Sequence, residues 1–132
     1  MILVDTSAWV EYDRATGSAI DTKLTELLRA GGSDIAVTEP ILMEVLAGAA
    51  TDRDANQLRR LLTSFQWAPV DAVADFEGAS KVYRSCRDAG ITPRGLIDCM
   101  IASVAIRTGC ELLTADRDFT AMAKVLPLRL AQ

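Results

Sequence analysis

Apolar runs of three or four residues recur along this 132-residue chain, separated by longer stretches with helical spacing. That alternation is the signature of a parallel β-sheet joined by crossover helices, an α/β fold. Strands are expected at Ile2–Val4, Ile35–Val37, 66–69, Glu111–Leu113 and 128–130. A chain of this length fits one compact domain, taken here as 1–132, and buries about two-thirds of the surface its unfolded form exposes. Neither an internal repeat nor a low-complexity segment interrupts it.

Between the strands the helical segments have readable starts and stops. Asp5-Thr6-Ser7 can cap a short helix from near Ala8, since these side chains satisfy free N–H groups at a helix start. The segment 19–30 carries Leu24, Leu27 and Leu28 on one face and stops at Gly31-Gly32. Thr38-Glu39-Pro40 opens a helix through Leu46 that stops at Gly48, proline being tolerated in the first turn. A more polar helix over 52–65 turns Leu58, Leu61, Leu62 and Phe65 inward, forming a helical hairpin with the preceding one. The segment 71–89 repeats Val73, Phe76, Ala79, Tyr83 and Cys86 as an apolar stripe closed by Gly90. The helix over 96–107 is apolar almost all round and is expected to be central.

Composition excludes several chemistries. The chain contains no histidine, which removes the usual zinc ligand, the commonest general base and every Ser-His-Asp or Cys-His scheme. Cys86, Cys99 and Cys110 are scattered and odd in number, so buried free thiols are expected. The opening Met1-Ile2-Leu3-Val4-Asp5 lacks the basic and apolar regions of a signal peptide, and 96–106 is too short to span a bilayer. A cytosolic location is expected. A net charge of −4 does not announce a nucleic-acid binder. A nuclease that holds divalent cations nevertheless concentrates carboxylates where its anionic substrate arrives, and the metal reverses the local sign.

Four acids stand in informative places. Asp5 ends the first strand and Asp116 follows the fourth, and in open parallel sheets ligands bind beyond the carboxyl ends of the strands. Asp98 stands in Leu96-Ile97-Asp98-Cys99-Met100-Ile101, where an unpaired carboxylate is costly. Glu44 has apolar neighbours at one and two positions on either side. Each has a plainer explanation: a helix cap for Asp5, a dipole-favoured first-turn acid for Asp98, a solvent-facing residue for Glu44. Of Asp116 and Asp118, Asp118 is the expected cap of the short helix containing Phe119 and Met122. With a parallel sheet the four converge if Glu44 and Asp98 face its carboxyl edge. Converging carboxylates repel and raise one another's pKa unless a cation sits between them. An all-oxygen site without His or Cys suits Mg²⁺ or Mn²⁺, and the chemistry available to it is hydrolysis of a phosphodiester by activated water.

Asp5-Thr6-Ser7 after an opening strand, Glu39-Pro40-Ile41-Leu42-Met43-Glu44-Val45, Arg94-Gly95-Leu96-Ile97-Asp98-Cys99 and Leu113-Thr114-Ala115-Asp116-Arg117-Asp118-Phe119 occur in that order. Together they resemble PIN-domain proteins, specifically VapC-type toxins, across essentially the whole chain. The resemblance implies a five-stranded parallel sheet flanked by helices, an Mg²⁺- or Mn²⁺-dependent endoribonuclease site and homodimers. By the same carry-over Asp5, Glu44, Asp98 and Asp116 are the acidic quartet, with Asp118 near the metal, Ser7 supporting the first acid and Arg94 reaching a substrate phosphate. A surface role for Arg94 is the plainer alternative. Transfer or ribosomal RNA is the implied substrate. A VapB-like antitoxin is the implied partner, its C-terminal segment crossing the toxin and presenting an arginine to the carboxylates. The hairpin over 39–65 is a candidate for part of that groove, unless its residues simply pack the core.

Two other readings compete. A catalytically silent PIN-like binding module would keep the fold without the chemistry, against which stands the presence of all four acids. A receiver-type phosphoacceptor domain would need adjacent acids after the first strand, whereas Asp5 is followed by Thr6, and Lys124 falls within an expected helix.

Overall fold

A computed structural model describes residues 1–131; Gln132, the last residue of the expected domain, lies outside the described residues. In chain order the elements are β1 (Ile2–Val4), α1 (Thr6–Asp13), α2 (Ala19–Arg29), β2 (Ile35–Val37), α3 (Glu39–Ala47), α4 (Asp52–Leu62), β3 (Gln66–Trp67), α5 (Ala72–Asp88), α6 (Leu96–Thr108), β4 (Glu111–Leu113) and α7 (Arg117–Met122). The strands form one sheet in the order β3-β2-β1-β4, and every pairing is parallel. β1 is the pivot: Ile2 lies opposite both Ile35 and Glu111, and Val4 lies opposite Leu113. Leu3, Val4, Ile35, Val37, Leu112 and Leu113 are each 0 % exposed, as strands covered by helices on both faces must be.

Among the described residues the sheet has four strands rather than five. The segment 128–130 makes only an isolated parallel bridge, Leu112 to Leu130, held by Leu112 N–H donating to Arg129 O and Ala131 N–H donating to Leu112 O. Two bonds centred on one residue do not extend into a ladder, and Pro127 just before the segment has no N–H to lengthen it. β3 is also shorter than expected. Ala68 N–H still donates to Val37 O, but Pro69 cannot continue the pairing.

α5 packs along α6, α1 along α2, and α3 against α4, α1 and α6. α6 is the central helix: Cys99 through Ala105 are all buried, and Gly109, in the left-handed region at φ +71°, ends the helix and turns the chain into β4. α4 stops at Leu62 rather than 65, and Phe65, beyond it, stacks on Trp9 with ring centroids 5.8 Å apart. All three cysteines are free and buried, as expected.

α5 departs from its expected face. Val73 and Phe76 are 71 % and 65 % exposed, while Ala79 and Cys86 are buried as expected and are joined by Asp75 and Val82. The cause is an ion pair. Arg107 Nη2 lies 2.7 Å from Asp75 Oδ2, and Ser103 Oγ donates to Asp75 Oδ1 at 2.9 Å, so α5 turns its acid toward α6. Burial pushes the Asp75 carboxyl up, but hydrogen bonds from Arg107, the Asp71 N–H and Ser103 outweigh it and leave it below the usual carboxylate range. The two helices meet most closely where Gly78 faces Ser103: a Cβ on Gly78 would overlap the Ser103 hydroxyl. Removing one partner of a buried charge pair strands the other. Asp75→Asn should therefore cost about 3 kcal/mol in urea unfolding, with the family of carboxylates at the sheet edge untouched.

Candidate active site

Parallel pairing brings the carboxyl ends of β1 and β4 to the same edge, and Asp5 N–H donates to Leu113 O at 2.9 Å across it. Asp5 caps α1 directly, so the helix begins at Thr6 rather than near Ala8. Its Oδ2 accepts from Ser7 Oγ at 2.6 Å, from Ser7 N–H at 3.3 Å and from Thr114 Oγ1 at 3.1 Å. Ser7 also accepts from the Ala115 N–H at 2.9 Å, tying the start of α1 to the segment after β4. Asp5 is 4 % exposed, and burial pushes its carboxyl up against the lowering effect of these hydrogen bonds.

On the neighbouring strand the cap is Asp116, not Asp118: its Oδ1 accepts from the Asp118 N–H at 2.9 Å. The helix starts two residues earlier than a cap at Asp118 would place it, which leaves Asp118 in its first turn. Thr114 Oγ1 accepts from the Asp116 N–H at 3.0 Å, so one hydroxyl positions both Asp5 and Asp116. From α3, Glu44 accepts at Oε1 from Thr6 Oγ1 at 3.0 Å. Burial pushes Glu44 up, the Thr6 bond opposes this, and the nearby charges of Asp5 and Asp116 add to the rise.

Asp98, in the first turn of α6, completes the convergence. Burial first, then the charges of Asp116, Asp5, Glu44 and Asp118, push its carboxyl up to about 6. Asp98, Asp116 and Asp118 each offer an oxygen within 4.8 Å of one another. Arg94, 75 % exposed in its side chain, lies over two of them, with Nη2 3.0 Å from Asp116 Oδ1 and Nε 3.1 Å from Asp118 Oδ2. Its expected reach toward a phosphate thus has a competing occupant. All seven residues singled out from the sequence lie in this neighbourhood. Thr6 and Thr114 were not among them, although their hydroxyls sit beside the acids in Asp5-Thr6-Ser7 and Thr114-Ala115-Asp116, a local cue for an orienting donor.

The donor set fits a hard divalent cation. It is all oxygen, and the oxygens that Asp98, Asp116 and Asp118 offer lie within 4.8 Å of one another, a span that accommodates the about 4.2 Å between opposite ligands of a bound Mg²⁺.

Comparison with known proteins agrees with this architecture. The sequence profile described as PIN domain matches residues 2–125. The chain is 44 % identical over 131 residues to Ribonuclease VapC11 of Mycobacterium tuberculosis, spanning 99 % of this chain and 98 % of that protein. In structure it is similar to VapC20 of Mycobacterium tuberculosis, described as a Sarcin-Ricin loop cleaving toxin, at TM-score 0.69 and 21 % identity over 98 % of this chain and 99 % of that one. It is also similar to VapBC2 from Rickettsia felis, crystallised with a fragment of its promoter DNA, at TM-score 0.74 and 19 % identity over 99 % of this chain and 98 % of that one. A sheet edge of converging acids on this fold defines a PIN-domain protein. Within that class the chain belongs to the VapC ribonuclease family.

The electrostatics have a measurable signature. Asp98 ionises near 3.8 when unfolded and near 6 when folded, so the folded state holds the extra proton and this group's contribution to stability falls as pH rises through that window. In metal-free protein, Asp98→Asn should raise the thermal midpoint at pH 7.5 by about 3 °C. It should also reduce the gain that wild type shows on lowering the pH from 7.5 to 5.5, both read by differential scanning calorimetry in EDTA.

Proposed function

We propose that this chain is the toxin of a type II toxin–antitoxin pair, an Mg²⁺- or Mn²⁺-dependent endoribonuclease acting on structured RNA in the cytoplasm. The observation that carries the reading is the meeting of Asp5, Glu44, Asp98, Asp116 and Asp118 from four separate elements, with Asp98 raised by burial and then by the charges of the others. Such mutual repulsion is tolerated at a site that a cation completes. The name of VapC11, a ribonuclease at 44 % identity, supports the activity. The PIN domain is read as 1–132; beyond the profile match, Leu126, Leu128 and Leu130 pack on the core.

Asp5, Asp98 and Asp116 are assigned to hold the ion, with Glu44 and Asp118 contacting it directly or through water; the closeness of Asp118 to Asp98 and Asp116 supports including it. A bound Mg²⁺ or Mn²⁺ supplies an acidified water at neutral pH and stabilises charge on the leaving oxygen. The chain's own groups do the rest. Ser7 and Thr114 fix Asp5, while Thr6 holds Glu44 through Oε1, so its second oxygen is available to take a proton from the attacking water. Attack at phosphorus breaks one P–O bond, leaving a phosphate on one RNA end and a hydroxyl on the other. The Arg94 guanidinium is suited to a phosphate oxygen. Transfer or ribosomal RNA is the proposed substrate, the latter supported by the loop that VapC20 is described as cleaving.

Purified protein incubated with total cellular RNA and Mn²⁺ should produce discrete new ends. EDTA, Asp5→Asn and Asp98→Asn should each cut the rate by about a hundredfold or more. Undiminished cleavage in these arms refutes the assignment, and RNA binding without cleavage by wild type favours the silent module.

The partner is proposed to be a VapB-like antitoxin, a reading supported by the VapBC2 complex. The α3–α4 hairpin leaves Met43 and Leu61 52 % and 39 % exposed, apolar surface suited to its C-terminal segment. A homodimer is proposed on the separate patch of Val73, Phe76 and Leu96, each more than 60 % exposed. Light scattering should give twice the chain mass, reduced to one in Phe76→Asp. Coexpression with the adjacent reading frame should give an inhibited complex that Met43→Asp weakens. A monomeric wild type, or a neighbour that neither binds nor inhibits, rules out the corresponding partner.

A further inference from the structure

Arg94 is the cation that stands on the acidic cluster. Its guanidinium spans Asp116 Oδ1 and Asp118 Oδ2, and its backbone N–H also points at Asp118 Oδ2, at 3.4 Å. Those two acids and Asp98 are the same three whose oxygens lie within 4.8 Å of one another. The other arginine in an ion pair among the described residues, Arg107, is engaged with Asp75 between α5 and α6. Arg94 is therefore the single cation paired with the site's five carboxylates among the described residues.

The strength of the contact matters as much as its place. The arginine side chain is 75 % exposed, and the two acids are 19 % and 24 % exposed. An exposed pair of this kind is worth little after solvent screening, whereas a divalent cation gathering several carboxylates interacts with each at about 2.1 Å. The guanidinium can thus hold the acids together without outbidding a metal for them. Its anchor permits this. Pro93 is buried beside it and Gly95 caps α6 with extended backbone, while the long Arg94 side chain is mostly exposed.

We propose that Arg94 is an internal counter-cation of the metal site: it offsets part of the charge of Asp116 and Asp118 while no ion is bound, and it competes with the divalent cation for them. The inference rests on the metal-dependent reading above and adds that this chain sets its own threshold for loading. Arg94 is in this sense a positioning residue, holding two ligands in place and yielding to the ion they bind.

The test is Mn²⁺ binding, measured by the electron paramagnetic resonance signal of free Mn²⁺ on the full chain without RNA. Arg94→Gln should tighten Mn²⁺ binding by about fivefold. Arg94→Lys, which keeps the charge but loses the fork, should fall between the two. Arg84→Gln removes the same charge from an exposed position on α5 and should leave the affinity within twofold. A merely structural tie predicts a lower thermal midpoint in Arg94→Gln with no gain in affinity, and that result overturns the proposal while leaving the metal site standing. Saturable binding absent from wild type overturns both.

Discussion

The parallel alignment of β1 between β2 and β4 is the constraint from which the rest follows. Parallel strands carry their carboxyl ends to one edge, and the register Val4 opposite Leu113 sets Asp5 beside Thr114 to within a hydrogen bond. α6 and α7 also begin at that edge, so α6 brings Asp98 and α7 brings Asp116 and Asp118 with their first turns. Antiparallel pairing of the same segments would send alternate strand ends to opposite sides. The charge cluster is a product of topology as much as of residue type.

Repulsion within that cluster has been met by hydroxyls and by one guanidinium. Ser7 and Thr114 give hydrogen bonds to Asp5, Thr6 gives one to Glu44, and Arg94 offsets two further acids. None of these donors reaches Asp98, whose carboxyl is pushed up by burial and then by the charges of Asp116, Asp5, Glu44 and Asp118. The buried pair of Asp75 and Arg107 is a different arrangement. There one acid has three donors and is satisfied within the protein, so its contribution is to the packing of α5 on α6.

Much of this was legible in the sequence, and the misses have local causes. β1, β2 and β4 follow from apolar runs bounded by polar residues, and α6 from a helix with almost no polar face. The exposed stripe of α5 was misread because apolar spacing at Val73 and Phe76 cannot register an ion pair formed 32 residues away. Capping by Asp116 turned on where α7 begins, a shift of two residues that periodicity does not resolve. The segment 128–130 has strand composition but meets its neighbour at a single residue. The positions of the acids could be anticipated from strand ends, while the Arg94 contact depends on the loop before α6 folding back onto α7, which no local pattern encodes.

Asp5 and Asp116 each hold the first turn of a helix with the same carboxylate that faces the cluster. Their rotamers are consequently fixed by the backbone, and the loss of side-chain freedom occurs as the chain folds rather than when an ion or a nucleic acid arrives. For these two groups the entropic cost of assembly belongs to the folding equilibrium, and association inherits a rigid half-shell.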